Sequence, residues 1–172
     1  MSNKKALIVI DMQNDYLWEK RKKQFSYDTK ALTESVNRLI HSFAGEGSDV
    51  IYIRHIIQNL PTNRLLFGYS IAGTPGADIY PGVDIVSDLC FDKLLGDALS
   101  NQKLREHISR CGYEELHLCG LDRYGCVTAT ALGAAKRGYK AYILSAGTET
   151  VLPEKKVTKQ QKRLEKAGIT MI

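Results

Sequence analysis

Prolines are few in this chain, four in 172 residues, and its four cysteines, at positions 90, 111, 119 and 126, form no CxxC pair. Without that spacing, or the paired Cys/His spacing of a zinc site, the sequence offers neither a disulfide framework nor a structural metal. Reduced thiols in a cytoplasmic protein are the expectation. Long hydrophobic runs are missing too. ALIVI before Asp11 supplies five apolar residues, too few for a signal-peptide core or a membrane span. No internal repeat, low-complexity tract or linker interrupts the chain, so 1–172 reads as one domain, able to bury roughly two thirds of the surface its unfolded form exposes. A net charge of +5 says little about partners. The basic residues collect in polar stretches, Lys20 to Lys23 and Lys155 to Lys166. No aromatic-interleaved groove accompanies them, which makes them solvated surface and not a nucleic-acid site.

What is present is strict alternation. Short aliphatic and β-branched runs, Ala6 to Ile10, Val50 to Ile53, Asp88 to Phe91, Glu115 to Cys119, Ala141 to Leu144 and Ile169 to Ile172, suit strands covered on both faces. Helical patterns lie between them. Leu32, Val36, Leu39, Ile40 and Phe43 recur at helical spacing after Asp28 as N-cap, and Gly45-Glu46-Gly47 ends the run. Ser100 is placed to cap a second helix carrying Leu104, Ile108 and Cys111, which Gly112 stops. A third covers Gly125 to Gly138, and a fourth about Glu154 to Ala167, entered at Pro153 and left at Gly168. Strand and helix in turn imply βαβ crossovers, a parallel sheet and an α/β fold. Residues 55–83, with Pro61, Pro75 and Pro81, read as a long loop of the kind that covers a site.

In a parallel sheet every strand delivers its carboxyl end to one edge, where ligands bind. Asp11 follows the first strand, Lys93 the third, and Cys126 the fourth after a short turn, within GLDRYGCVTATA at 120–131. A cysteine where a strand hands over to a helix amino terminus meets backbone N–H groups that favour thiolate over thiol. Each residue has a plain alternative: a small buried cysteine, an aspartate capping a loop, a solvated lysine. Together, an acid and an amine supply what a reactive thiol needs, a proton acceptor and a cation.

These stretches resemble the isochorismatase-like cysteine hydrolases, which include nicotinamidases and related amidases. ALIVIDMQNDY at the start, AGTPGADIYP in the middle, Lys93 and GLDRYGCVTATALGAAKRGY carry the likeness, the last block most specifically. The resemblance implies a three-layer α/β/α fold around a mostly parallel six-stranded sheet. It implies Cys126 as nucleophile, Asp11 as general base and Lys93 as electrostatic partner in hydrolysis of a small amide. It also implies a cis peptide between Leu121 and Asp122, which would turn the Asp122 N–H, with that of Cys126, toward the substrate carbonyl oxygen. A homo-oligomer, dimer or tetramer, is the family habit.

Departures narrow the reading. Nicotinamidases hold a metal through an Asp-x-His pair and a further His, whereas YIRHIIQNLPTNR offers His55 alone, so neither metal nor organic cofactor is expected and nicotinamide is demoted. Isochorismatases proper tend to lack the cysteine, so Cys126 argues for amide chemistry. An ester or isochorismate hydrolase of the same fold, or a non-catalytic relative that binds a small molecule, stays open, and a lowered Cys126 pKa would mark the enzyme. Asp97-Ala98-Leu99 stands where the family shows Ser-Ala-Phe. Tyr16 and Trp18 are candidates to line a pocket for a flat substrate, and Asp122 needs its charge turned away or matched by a cation such as Arg123.

Overall fold

All six strands run the same way. The computed structural model describes residues 4–172 and orders the strands β3-β2-β1-β4-β5-β6, with every neighbouring pair parallel. They are β1 (Lys5–Ile10), β2 (Asp49–His55), β3 (Cys90–Lys93), β4 (Glu115–Gly120), β5 (Lys140–Thr148) and β6 (Thr170–Met171). The order reverses between β1 and β4, and in such sheets the crevice beyond the strand ends at that reversal receives ligands.

The apolar runs are continuous because both faces are covered. Ala6, Ile8 and Ile10 of β1 pack into one cluster with Leu104, Ile108, Ala131, Ala134 and Leu164, brought by helices α4 (Gln102–Cys111), α5 (Thr128–Lys136) and α6 (Glu154–Lys166). Leu7 and Val9 point the other way, into Leu32, Val36, Ile40 and Phe43 of α2 (Thr29–Gly45). This is the three-layer α/β/α arrangement. Among the described residues no helix is long and apolar enough to cross a membrane.

Several local expectations need correction. Asp28 does cap α2, accepting from the Ala31 N–H, but α4 is capped by Asn101 through the Leu104 N–H, not by Ser100. Ser100 instead ends a 3-10 turn, Ala98–Ser100, which Asp97 caps. The same carboxylate reaches Arg137 at 3.0 Å, so Asp97 ties this turn to the end of α5. Gly125 to Gly138 is not one helix. A π-helical turn at Arg123–Val127 breaks at Gly125 (φ −103°, ψ −110°) before α5 begins at Thr128. The 55–83 segment is partly regular, with a short helix α3 (Pro61–Leu66) and a 3-10 turn at Pro75–Ala77. An isolated bridge from Gln13 to Ile79 ties it to the chain just past β1, and another from Ile57 to Ile71 closes it on itself. One more short helix, α1 (Asn14–Leu17), follows β1 directly.

Candidate active site

β1 ends in a sharp departure. Asp11 has φ +55°, a left-handed conformation that costs a residue other than glycine free energy and persists only where its surroundings enforce it. Here its N–H donates to Ile53 O, and its own carbonyl accepts from the Gln13 N–H. On the β4 side Gly120 permits the match. Its φ is +100°, and a Cβ there would lie 2.1 Å from Ile10 O, so only glycine lets the β1 and β4 ends meet this closely.

At this junction the three separated residues converge. Lys93 Nζ lies 2.9 Å from Asp11 Oδ2 and donates to Cys126 Sγ at 3.2 Å. Asp11 and Lys93 are both buried. The other carboxylate oxygen, Asp11 Oδ1, is buried without a hydrogen-bond partner and keeps open lone pairs. Burial alone would lower the Lys93 pKa, but the adjoining Asp11 carboxylate and Cys126 sulfur outweigh it and hold the amine above its ordinary range. Lys93 therefore stays cationic.

The thiol behaves otherwise than its sequence position implies. Burial, and next the charge of Asp11, push Cys126 up to about 12, against the opposing pull of Lys93. Burial is the larger reason, since it disfavours the charged form. The carboxylate that accepts a proton also repels a second anion, and α5 begins two residues after Cys126, so no regular helix start lies beneath the sulfur. A high value is thus what burial beside a base imposes, and it does not separate an enzyme from a silent relative. The folded state binds this proton more tightly than the unfolded chain, so its contribution to stability is complete below the ordinary thiol pKa of about 8.5 and fades as pH rises toward the folded value. Alkylation of Cys126 by iodoacetamide should keep accelerating up to pH 10, close to tenfold per unit. A plateau near pH 7 would show a thiolate already formed.

Asp11 and Cys126 open onto a cavity of about 340 Å³. Tyr16, Phe25 and Tyr69 form one wall, their rings meeting edge-on or tilted at centroid distances of 4.8 to 5.9 Å. Leu121, Val151 and Leu152 also line it. Tyr16 takes the role expected of it, whereas Trp18 does not line the cavity. α1 ends at Leu17, and the chain turns at Trp18 into the loop that brings Phe25 back instead.

His55 lines the cavity as well, and its hydrogen bonds fix its tautomer. Nε2 meets Leu94 O at 3.0 Å, and because a carbonyl only accepts, that nitrogen carries the hydrogen. Nδ1 is then the acceptor for the Tyr16 hydroxyl at 3.2 Å, and Tyr16 in turn accepts from Ser70 at 2.8 Å. Burial first, then the charge of Lys93, lowers the His55 pKa, so the ring stays neutral. Among the described residues no group of three or more His, Cys, Asp or Glu stands where it could hold a metal ion. The donors needed for one are not gathered here.

Asp122 resolves its charge without a cation. Its carboxylate accepts from Tyr27 OH (3.0 Å), Thr150 Oγ1 (2.8 Å) and the N–H groups of Tyr124 (3.0 Å) and Val151 (2.9 Å). Arg123 turns elsewhere, to Thr148 Oγ1 and Ser145 O. The peptide between Leu121 and Asp122 is trans, as is every peptide among the described residues, which corrects the expected cis bond. Trans is the low-energy form for residues other than proline. The turn closes in that form, with the Leu121 N–H on Ile10 O and Asp122 O accepting from Gly125 and Val127.

Gln13 braces the edge of the site, a part the sequence did not single out. Wholly buried, it donates from Nε2 to His55 O and Ala77 O and accepts the His55 N–H, binding the ends of β1 and β2 to the 75–78 turn. A polar residue just past a strand end was the available signal. Nothing in the sequence foretold the lining by Phe25, Tyr27 and Tyr69, because their loops have no periodicity to read.

Comparison with known proteins agrees with this architecture. The family model for the isochorismatase domain matches residues 5–172. YddQ, an isochorismatase family protein of Bacillus subtilis (strain 168), is 27% identical over 155 residues, covering 88% of this chain and 82% of its own. Pyrazinamidase of Pyrococcus horikoshii, solved in complex with zinc, superposes with a TM-score of 0.81 at 23% identity, over 98% of each chain. N-carbamoylsarcosine amidase from Thermoplasma acidophilum gives a TM-score of 0.81 at 20% identity, over 98% of this chain and 95% of its own. With the match spanning the whole sheet and the crevice at its reversal, the chain belongs to the isochorismatase family.

Proposed function

We propose that the protein is a cysteine hydrolase that cleaves the C–N bond of a small amide through an acyl-enzyme on Cys126. The observation that carries this reading is the Lys93 ammonium held 2.9 Å from Asp11 and 3.2 Å from Cys126, at the margin of an open cavity. Two structural neighbours named as amidases support the amide over the ester.

Asp11, through Oδ1, accepts the thiol proton as Cys126 Sγ bonds to the carbonyl carbon, so the thiolate forms only during attack. Lys93 remains protonated and stabilises the charge that passes from carboxylate to sulfur. The displaced carbonyl electrons form an oxyanion, received by the N–H groups of Asp122 and Cys126. Among the described residues the Asp122 N–H meets no backbone acceptor, which leaves it free to serve as an oxyanion donor. Collapse breaks the C–N bond, and Asp11 returns the proton to the departing nitrogen. Water then attacks the thioester, Asp11 takes its proton, and the thiol is regenerated as the acid leaves. No step in this scheme passes through a metal.

The direct test is ammonia release from a panel of primary amides, including nicotinamide and benzamide, followed by intact mass measurement after rapid acid quench. The expected result is turnover of at least one amide with an acyl adduct on the peptide containing Cys126. Turnover with the adduct on another residue, or hydrolysis of phenyl esters alone, would overturn the reading.

A further inference from the structure

The segment between α1 and α2 has no helix or strand, yet it builds one side of the cavity. Its order comes from one side chain. The Arg21 guanidinium donates to four backbone carbonyls: Phe25 O (2.7 Å), Trp18 O (2.9 Å), Leu17 O (3.1 Å) and Tyr27 O (3.1 Å). A planar fork with five N–H donors can gather carbonyls from several directions at once; a lysine ammonium cannot match that geometry. Thr29 Oγ1 adds a bond to Leu17 O at 2.7 Å, closing the base of the loop. Lys22 reaches across to Phe67 O and lies 5.6 Å from the Tyr69 ring, joining the loop to the segment that carries Tyr69.

The folded loop presents Phe25 and Tyr27 to the cavity. Phe25 packs edge-on between Tyr16 (4.8 Å) and Tyr69 (5.1 Å), and the Tyr27 hydroxyl is tied to Asp122 at 3.0 Å. No arginine or lysine lines the cavity, while the carboxylates of Asp11 and Asp122 do. Lys93, beside Asp11, is already paired, and Lys22, near the far side of Tyr69, is bound to Phe67 O. A flat apolar group fits the aromatic wall, but a carboxylate would enter an apolar space beside two acids with no free cation.

We infer that Arg21 is a positioning residue: by clasping the 17–27 loop it builds an acyl-binding slot that selects amides bearing a flat, uncharged ring over short or carboxylate-bearing ones. The inference rests on Cys126 being the nucleophile of that slot.

Three chloro- or iodoacetamides, each losing halide as its methylene carbon bonds to the Cys126 sulfur, test it with peptide mapping as readout. They are iodoacetamide, with no ring, 2-chloroacetanilide, with a neutral ring, and 4-(chloroacetamido)benzoate, with a charged one. In the unaltered protein the anilide should saturate, and the benzoate should need about tenfold more reagent, a 1.4 kcal/mol equivalent. Arg21→Ala and Arg21→Lys should both raise the half-saturating anilide concentration about tenfold, leaving the iodoacetamide rate within about twofold. Phe25→Ala, which leaves the clasp intact, should reproduce the rise and keeps the test open if the Arg21 variants do not fold. Equal slowing of all three reagents, an unchanged anilide half-saturation in Phe25→Ala, or benzoate labelling equal to the anilide overturns the inference. Absence of Cys126 labelling by every reagent would instead sink the nucleophile assignment beneath it.

Discussion

Cys126→Ala loses amide hydrolysis by on the order of 10⁴-fold or more, while its thermal midpoint stays within a few degrees of the parent. The loss is large because the proposed acyl intermediate has no second thiol or free imidazole among the residues lining the cavity to form on. His55 is committed at both ring nitrogens, Lys93 is held protonated, and Cys119 is fully buried with a thiol pushed far up by burial. The fold survives because the sulfur is only partly buried and its polar contacts are to Lys93 and Asp11, which keep their bond to each other. Kinetics on the best amide of the panel, beside a melting curve, checks both halves. Retention of more than about a hundredth of the parental kcat/KM would remove Cys126 from the mechanism.

Lys93 gives the second large effect, on stability and activity together. Lys93→Met leaves the Asp11 carboxylate buried without its cation, a change that costs about 3 to 5 kcal/mol when one partner of a buried pair is removed. For a chain of this length that lowers the thermal midpoint by roughly 6 to 20 °C. Activity falls as well, because the thiolate proposed to form in attack loses the cation 3.2 Å from it. Combining it with Asp11→Asn should restore most of the stability without restoring turnover. Asparagine suits this position because it tolerates the left-handed φ of +55° better than other residues lacking that amide. A double variant no more stable than Lys93→Met alone would show that the pair contributes nothing as a unit. A double variant that turned over amide would show that Asp11 is not the base.

Much of this was legible because it lies in periodicity and in strand ends. Continuous apolar runs such as ALIVI could be covered on both faces only in a parallel sheet with helices above and below, and residues just past such strands had to reach one edge. Asp11, Lys93 and Cys126 were found that way, although Lys93 closes β3 instead of following it. The resemblance carried by GLDRYGCVTATA supplied the roles proposed for them. Where it ran past the residues themselves it erred, at the Leu121–Asp122 peptide, since backbone geometry in a turn answers to the hydrogen bonds that close it.

The irregular segments withheld the rest. Trp18 and Phe25 are both aromatic and near the same strand end, and no pattern ranks one above the other. Arg21 chose between them by where it gathers carbonyls. Likewise no reading of Cys126 in isolation distinguishes a lowered thiol pKa from one pushed up to about 12. That sign depends on burial and on the distance to one carboxylate. The amino-acid sequence by itself determined the α/β layering and the edge on which an acid, an amine and a sulfur collect, because hydrophobic period and strand direction are local properties. Only the tertiary structure decided the shape of the cavity, the tautomer of His55 and the protonation of the thiol, because each depends on through-space contacts between segments far apart in the chain.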